Sequence, residues 1–297
     1  MNKKLSVMVA IPAWNEEKTI IDLLRSVKFQ KQTQYRLDSV WVYSDGSTDQ
    51  TVSLVKKNFP EVKIVDGKRN LGKNAGVNQI MKGNKSDILI QIDADITIKN
   101  KKTFDYLLAP FIKDDKVGLV CAYHLANTPS TFIGELSYFG FRVWDRARNS
   151  LGRRGIRYYC EGGLRAFSKE FAKNFRLPTN KYIGEDSYSF YYAVKNGFKV
   201  AVSKRARAYL DLADNYQDYV KQMKRFLLDP KDMPKAFGKN LTDRFETMTL
   251  RARLKALISE LAKSPWSGLF YLVLQAATKM AALFYKSQNS WVPIKRK

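Results

Sequence analysis

The sequence predicts an α/β protein with a mostly parallel sheet and helices on both faces, and three observations predict it. Up to Leu125, short apolar runs of strand type alternate with longer runs of helical spacing, the pattern of consecutive βαβ units. Each of the first four strand-like runs ends in a polar segment, "PAWNEE", "SDGSTD", "DGKRNLGK" or "DAD". In an open α/β sheet, ligands sit at the carboxyl ends of the strands. At 297 residues, with 45% hydrophobic and 13% aromatic content, the chain can build a sizeable core and falls outside the disordered class.

Element by element, "LSVMVAI" reads as the first strand and "NEEKTIIDLLRSVKFQ" as a helix with acids at its positive end. "DSVWVYS" is the second strand, and "STDQTVSLVKKNF" a helix capped by Ser47 or Thr48. "VKIVD" is a third short strand, "LGKNAGVNQIMKG" a helix and "DILIQID" a fourth strand. "TFDYLLAPFIK" reads as helical and "VGLVCAYHL" as extended. From about Thr128 to Asn180 the chain reads as less regular, with the basic run "FRVWDRARNSLGRRGIR". Arginines at that density either bind phosphates or solvate a helix face. Residues 1–245 are expected to form one catalytic domain, with 246–297 as a C-terminal appendage.

In that appendage "TLRARLKALISELAKS" has amphipathic helical spacing, and "PWSGLFYLVLQAATKMAALFY" follows, broken by Gln275, Thr278 and Lys279. The second run is long enough to span a bilayer, though Lys279 near its middle is costly in lipid. Lys and Arg at 251, 253, 255, 263, 279, 286, 295, 296 and 297 stand against one acid, Glu260, and Trp266 and Trp291 bracket the apolar stretch. The expectation is a membrane-associated segment, interfacial or a single C-terminal anchor. The competing reading is a helical hairpin packed on the domain.

Composition narrows the function classes. Lys+Arg of 52 against Asp+Glu of 28 gives a formal charge of +24, which favours anionic partners: nucleic acid, an anionic membrane face or phosphorylated substrates. Two cysteines, Cys121 and Cys160, make no disulfide framework and suggest a reducing, cytoplasmic setting. One histidine, His124, excludes a multi-histidine metal site and reads as a satisfied, half-buried side chain. The N-terminal apolar run is short and ends in Pro12 and acids, so it reads as a strand and not as a signal peptide.

The sharpest local feature is Asp93 and Asp95 at the end of "DILIQIDADI". Side chains two apart on a strand share a face, and two like charges repel. At a strand end the pair is either a solvated terminus or a cation site. "IPAWNEE", "SDGSTD", "GKNAGVNQ", "DAD", "GED" and "QMKRF" are each weak signals, but their order along residues 5 to 230 is not. Together they resemble a family 2 glycosyltransferase of the cellulose-, chitin- and hyaluronan-synthase type, with the Rossmann-like GT-A fold.

The resemblance implies an inverting transfer of sugar from a nucleotide-sugar donor, read as a UDP-sugar. It places Mg2+ or Mn2+ on Asp95, which settles the acidic pair as a cation site, with Asp93 beside the nucleoside and diphosphate. Pro12, Asn15, Glu16 and Asp45 match nucleotide contacts, and Lys73 matches a lysine near the donor. "GED" places the general base on Asp186, with Glu185 in support. Gln222 and Arg225 match the family's Gln/Arg motif, Arg225 facing the diphosphate, and Phe226 stands where the family has tryptophan. That loses an indole N–H and weakens a processive reading. Gly162 and Gly163 fall in a loop placed beside donor and acceptor.

The large synthases have several membrane helices, and this chain has at most one candidate. The implied acceptor is therefore a lipid or lipid-linked saccharide at the cytoplasmic face of an anionic membrane. Two alternatives remain: a transferase acting on modified DNA bases, whose affinity would fall with salt, and a non-catalytic binding protein of the same fold.

Overall fold

The computed structural model describes residues 4–179, 183–228 and 233–283, and the side chains of all of these except 224–228 and 281–283. Contacts group the residues into two compact units. The first runs to Leu125 and resumes over Tyr159–Leu210; the second takes Ala126–Tyr158 and the chain from Asp211 onward. Described residues 246–283 thus share their unit with the helix that follows the fifth strand.

In the first unit, β1 (Leu5–Ala13) is the axis of the sheet. Its Val7, Val9 and Ile11 belong to the main core, and Met8 and Ala10, on the other face, are buried too. An apolar strand buried on both faces needs neighbours on both edges. β1 pairs in parallel with β2 (Tyr35–Ser44) on one side and β4 (Ile88–Ile92) on the other, and β3 (Lys63–Asp66) extends β2 in parallel. The crossovers carry α1 (Ile20–Lys28), α2 (Thr51–Asn58) and α3 (Lys73–Gly83). α4 (Thr103–Lys113) leads to β5 (Val117–Ala126). After an excursion into the second unit come β6 (Leu164–Ser168), α6 (Lys169–Asn174), α7 (Glu185–Lys195) and β7 (Lys199–Leu210). The seven strands lie in the order β3-β2-β1-β4-β6-β5-β7.

The sheet is mixed: β6 runs antiparallel to both β4 and β5. That reversal, absent from the expected pattern, brings the start of β6 beside the end of β4, with Ile92 opposite Leu164. The start of α2 also differs from expectation. The helix opens at Thr51, and Asp49 Oδ1 accepts from the Thr51 amide at 2.9 Å and its hydroxyl at 2.6 Å. Ser47 and Thr48 instead tie two strand ends together. Ser47 Oγ accepts from the Asn15 amide at 3.1 Å, and the Thr48 amide donates to Asn15 Oδ1 at 2.8 Å.

In the second unit the stretch expected to be irregular holds α5 (Phe132–Ser150), a 19-residue helix. Thr131 Oγ1 caps it, accepting from the Gly134 amide at 3.0 Å. Its arginines hid its periodicity, because they pair with acidic side chains of the same unit. Arg146 Nε lies 2.6 Å and Arg142 Nε 3.4 Å from the Glu260 carboxylate, and fully buried Arg148 holds Asp145 at 2.8 Å. All three are thus held by carboxylates, Arg148 fully buried, Arg142 half-buried and Arg146 exposed. Beyond a 3-10 helix (Gly152–Tyr159), the unit comprises α8 (Tyr216–Leu228), α9 (Met233–Phe237), α10 (Lys239–Phe245), α11 (Leu250–Leu261) and α12 (Pro265–Leu283). Leu136, Tyr219 and Leu274 form its small core, drawing α5, α8 and α12 together.

Candidate active site

Strand β4 stops at Ile92, and the chain turns through Asp93 and Asp95 at the carboxyl edge of the parallel strands. Because β6 is antiparallel, the loop that precedes it arrives at the same edge. The Asp93 amide donates to the Gly163 carbonyl at 2.8 Å. Gly163 has φ +23°, and a Cβ there would stand 2.3 Å from His124 Nε2. Only glycine fits that backbone. At Gly162 a Cβ would lie 3.1 Å from Glu185 Oε1 and 3.4 Å from Asp93 Oδ2, so the loop backbone passes directly against the acidic groups.

Lys73 reaches the same point from α3. Asp45, at the end of β2, accepts from the Leu71 and Gly72 amides at 2.9 and 2.8 Å and so sets the entry to the helix. Lys73 is the first helical residue, and its Nζ lies 2.6 Å from Asp93 Oδ2 and also pairs with Glu185 Oε1. At the next residue, Asn74 Nδ2 donates to the carbonyls of Pro178 at 3.0 Å and Ile183 at 3.2 Å. Asn78 exchanges hydrogen bonds with the backbone of Leu177 at 2.7 and 2.8 Å. The "GKNAGVNQ" segment thus aims the ammonium and also clamps the chain that leads to Glu185 and Asp186.

Beneath this group lies Arg165 on β6, 1% exposed. Its guanidinium donates to the Glu185 carbonyl at 3.1 Å and to Ser189 Oγ at 2.9 Å, and lies 3.7 Å from Glu185 Oε1. The electrostatics follow from burial opposed by charge. Burial raises the Glu185 pKa, but Lys73 and Arg165 outweigh it and hold it down at about 2. Burial raises Asp93 against the pull of Lys73, and Glu185 and Asp95 push it the same way, so its pKa ends above the usual value. Burial lowers Lys73, but Asp93 and Glu185 win and its pKa lies above the ordinary lysine value. The cluster is a cation held between two carboxylates, with a third carboxylate nearby.

Asn15 adopts φ 55° and Glu16 Oε2 accepts from Thr19 Oγ1 at 2.7 Å, so both shape the loop after β1. Pro12 is half-buried in β1, paired with Tyr43. Asp186 is half-buried in the first turn of α7, its Oδ1 accepting from the Ser187 amide at 2.7 Å. Gln222 is half-buried on α8 in the second unit, and the side chains of Arg225 and Phe226 lie outside the described residues. His124 is 1% exposed, more buried than expected, and its Nε2 accepts from the Leu164 amide at 3.2 Å. Sequence reading missed Arg165, Asn74, Asn78 and Glu161, whose Oε2 lies 3.4 Å from His124 Nδ1. A charged residue inside the apolar run "LRAF" was the available signal for Arg165.

Among the described residues no group of three or more His, Cys, Asp or Glu could hold a metal ion. The buried Oδ1 of Asp93 nevertheless has no hydrogen-bond partner, and half-buried Asp95 follows at the same turn. This donor set fits Mg2+ or Mn2+ bound in the usual way, through one or two carboxylates with substrate phosphates completing the shell.

Comparison with known proteins agrees with the geometry. The chain is 29% identical over 129 residues to poly-beta-1,6-N-acetyl-D-glucosamine synthase of Staphylococcus epidermidis, covering 42% of this chain and 30% of that protein. The chain therefore spans about a third of the length of the relatives it matches. Among solved structures, the mannosyltransferase PcManGT of Pyrobaculum calidifontis, in complex with GDP-Man and Mn2+, matches with a TM-score of 0.59 at 19% identity, over 94% of this chain and 76% of that one. Residues 1–349 of TarS from S. aureus match with a TM-score of 0.55 at 19% identity, over 94% and 89% of the two chains. Glucosyl-3-phosphoglycerate synthase of Mycobacterium tuberculosis, in complex with Mn2+, UDP and glucosyl-3-phosphoglycerate, matches with a TM-score of 0.55 at 18% identity over 79% and 80%. The fold is that of GT-A-like enzymes. The model of the family described as "Glycosyl transferase family 2" matches residues 8–176, a span that holds the acidic turn, Lys73 and the glycine loop. With more than half of its 297 residues inside that match, the chain belongs to glycosyl transferase family 2.

Proposed function

We propose that the protein moves a sugar from a nucleotide-sugar donor, a UDP-sugar, to a hydroxyl of a lipid or lipid-linked saccharide at an anionic membrane surface, inverting the anomeric carbon. The observation that carries this reading is the convergence of Asp93, Lys73 and Glu185 against the Gly162 backbone at the carboxyl ends of parallel strands. A diphosphate leaving group gains charge as the sugar departs, and Lys73 is a cation already poised at that edge. Donor binding offers Lys73 a phosphate in exchange for one carboxylate, while Arg165 keeps Glu185 in place. Asp45 and the loop of Asn15 and Glu16 border the same edge, where base and ribose need polar partners.

Asp95 would hold the divalent cation, with Asp93 beside the nucleoside and diphosphate; such an ion would supply Lewis-acid neutralisation of the diphosphate. Asp186 accepts the proton of the acceptor hydroxyl as its oxygen bonds to the anomeric carbon. The bond from that carbon to the diphosphate oxygen breaks on the opposite side, and the nucleoside diphosphate leaves with the electron pair. Gly162 and Gly163 let substrate approach the backbone. By the family resemblance, Gln222 and Arg225 complete the Gln/Arg motif, with Arg225 serving the diphosphate and Phe226 a platform for a sugar ring.

Calorimetric titration with UDP and with GDP, each with and without Mn2+, tests the donor site. Mn2+-dependent binding of UDP that disappears in Asp95→Ala is the expected result. Undiminished Mn2+-dependent binding by that variant would remove Asp95 from the metal role.

A further inference from the structure

Helix α12 faces the wrong way for a water-exposed helix. A surface helix normally turns its apolar stripe to the core and its polar stripe to solvent. Here the polar residues go inward: Gln275 Nε2 donates to Tyr219 Oη at 2.6 Å and to Tyr271 Oη at 2.9 Å, and Thr278 is buried. The outward side carries Trp266, 73% exposed, with Leu269 and Val273, 51% and 59% exposed, one and two turns on. Helix α11 repeats the pattern. Glu260 and Ala256 are buried, while Leu250, Leu254 and Ile258 are exposed at a spacing of one turn. Gln275 and Thr278, which interrupt the apolar run in the sequence, are removed from the exposed side by the fold. Apolar stripes on two consecutive helices mark an interaction surface.

The charges around these stripes say what covers them. Arg251, Arg253, Lys255 and Lys279 are exposed on the same two helices, and their one acid, Glu260, is buried against Arg146. A second copy of a chain that carries +24 would bring like charges together. A bilayer rich in anionic lipid supplies an apolar layer, a headgroup zone suited to an exposed tryptophan, and negative charge for the basic residues. No helix among the described residues is long and apolar enough to cross a membrane. We propose that the outward faces of α11 and α12 dock this protein on an anionic bilayer surface, with both helices lying in the plane of the interface.

The test is cosedimentation of the full-length protein with vesicles of phosphatidylcholine, with and without phosphatidylglycerol. Binding to the anionic vesicles, weakened by salt, is expected. The triple variant Trp266→Gln, Leu269→Gln, Val273→Gln should bind at least about tenfold more weakly, since three large apolar side chains no longer leave water. The variant Arg251→Gln, Arg253→Gln, Lys255→Gln alters exposed positions only and should lose about a hundredfold at low salt. Unaltered melting of this second variant keeps the result interpretable if the first proves unstable. No binding to anionic vesicles, or undiminished binding by both variants, overturns the proposal. So does a dimer that the apolar variant dissociates, or duplex DNA binding that competes the vesicles away. The membrane location in the proposed function rests on this docking, whereas the sugar transfer itself is judged by the donor titration, so the two failures are distinguishable.

Discussion

Replacing Lys73 with methionine keeps the length of the side chain and removes the one ammonium between Asp93 and Glu185. Breaking a fully buried ion pair by deleting one partner costs about 3–5 kcal/mol. The three side chains here are 18%, 19% and 14% exposed, and the solvent they retain reduces the loss to about 1–3 kcal/mol. At roughly 2–4 °C per kcal/mol for a unit of this size, the melting temperature should fall by roughly 2–12 °C at pH 7. The deficit should depend on pH in a stated direction. Glu185 has a folded pKa held down at about 2, so its favourable contribution is present above the unfolded carboxylate value and disappears as pH falls through the folded one. Asp93, with a raised folded pKa, loses stability as pH rises through that value, and without Lys73 it would do so more strongly. Both effects make the variant's deficit largest near neutrality and smaller toward pH 4. Melting curves of both proteins from pH 4 to 8 provide the measurement. An unchanged melting temperature at pH 7, or a deficit that widens on acidification, would refute the electrostatic account of the cluster.

Two further outcomes are expected. Gly163→Ala forces a Cβ into His124 at a positive φ and should cost about 1–3 kcal/mol; equal chemical-denaturation midpoints would show that the loop adapts freely. Asp186→Asn should leave UDP binding intact while transfer falls about a hundredfold or more, measured as sugar transfer under saturating donor, and near-normal turnover would move the base elsewhere.

The sheet's first four strands, with their polar ends, were legible because each depends on consecutive residues: apolar runs of strand length followed by turn and acidic residues. Asp93 and Asp95 stood out for the same reason. Helix α5 was obscured because Arg142, Arg146 and Arg148 look unpartnered by residue type, and their pairing with Glu260 and Asp145 is visible only in the fold. Asp45 could be read as a site residue from its strand end, but its bonds to the Leu71 and Gly72 amides, which aim Lys73, join segments far apart in the chain.

The α/β class, the acidic turn and the family were carried by local periodicity and motif order, which survive in a linear string. The antiparallel insertion of β6, which brings Gly162, Gly163 and Arg165 to the acidic turn, was not, because strand pairing is a long-range choice made by the whole core. The same holds for Lys73 between Asp93 and Glu185, and for the outward apolar face of α12. Composition states which side chains a helix has; only packing against its neighbours determines which of them meet water.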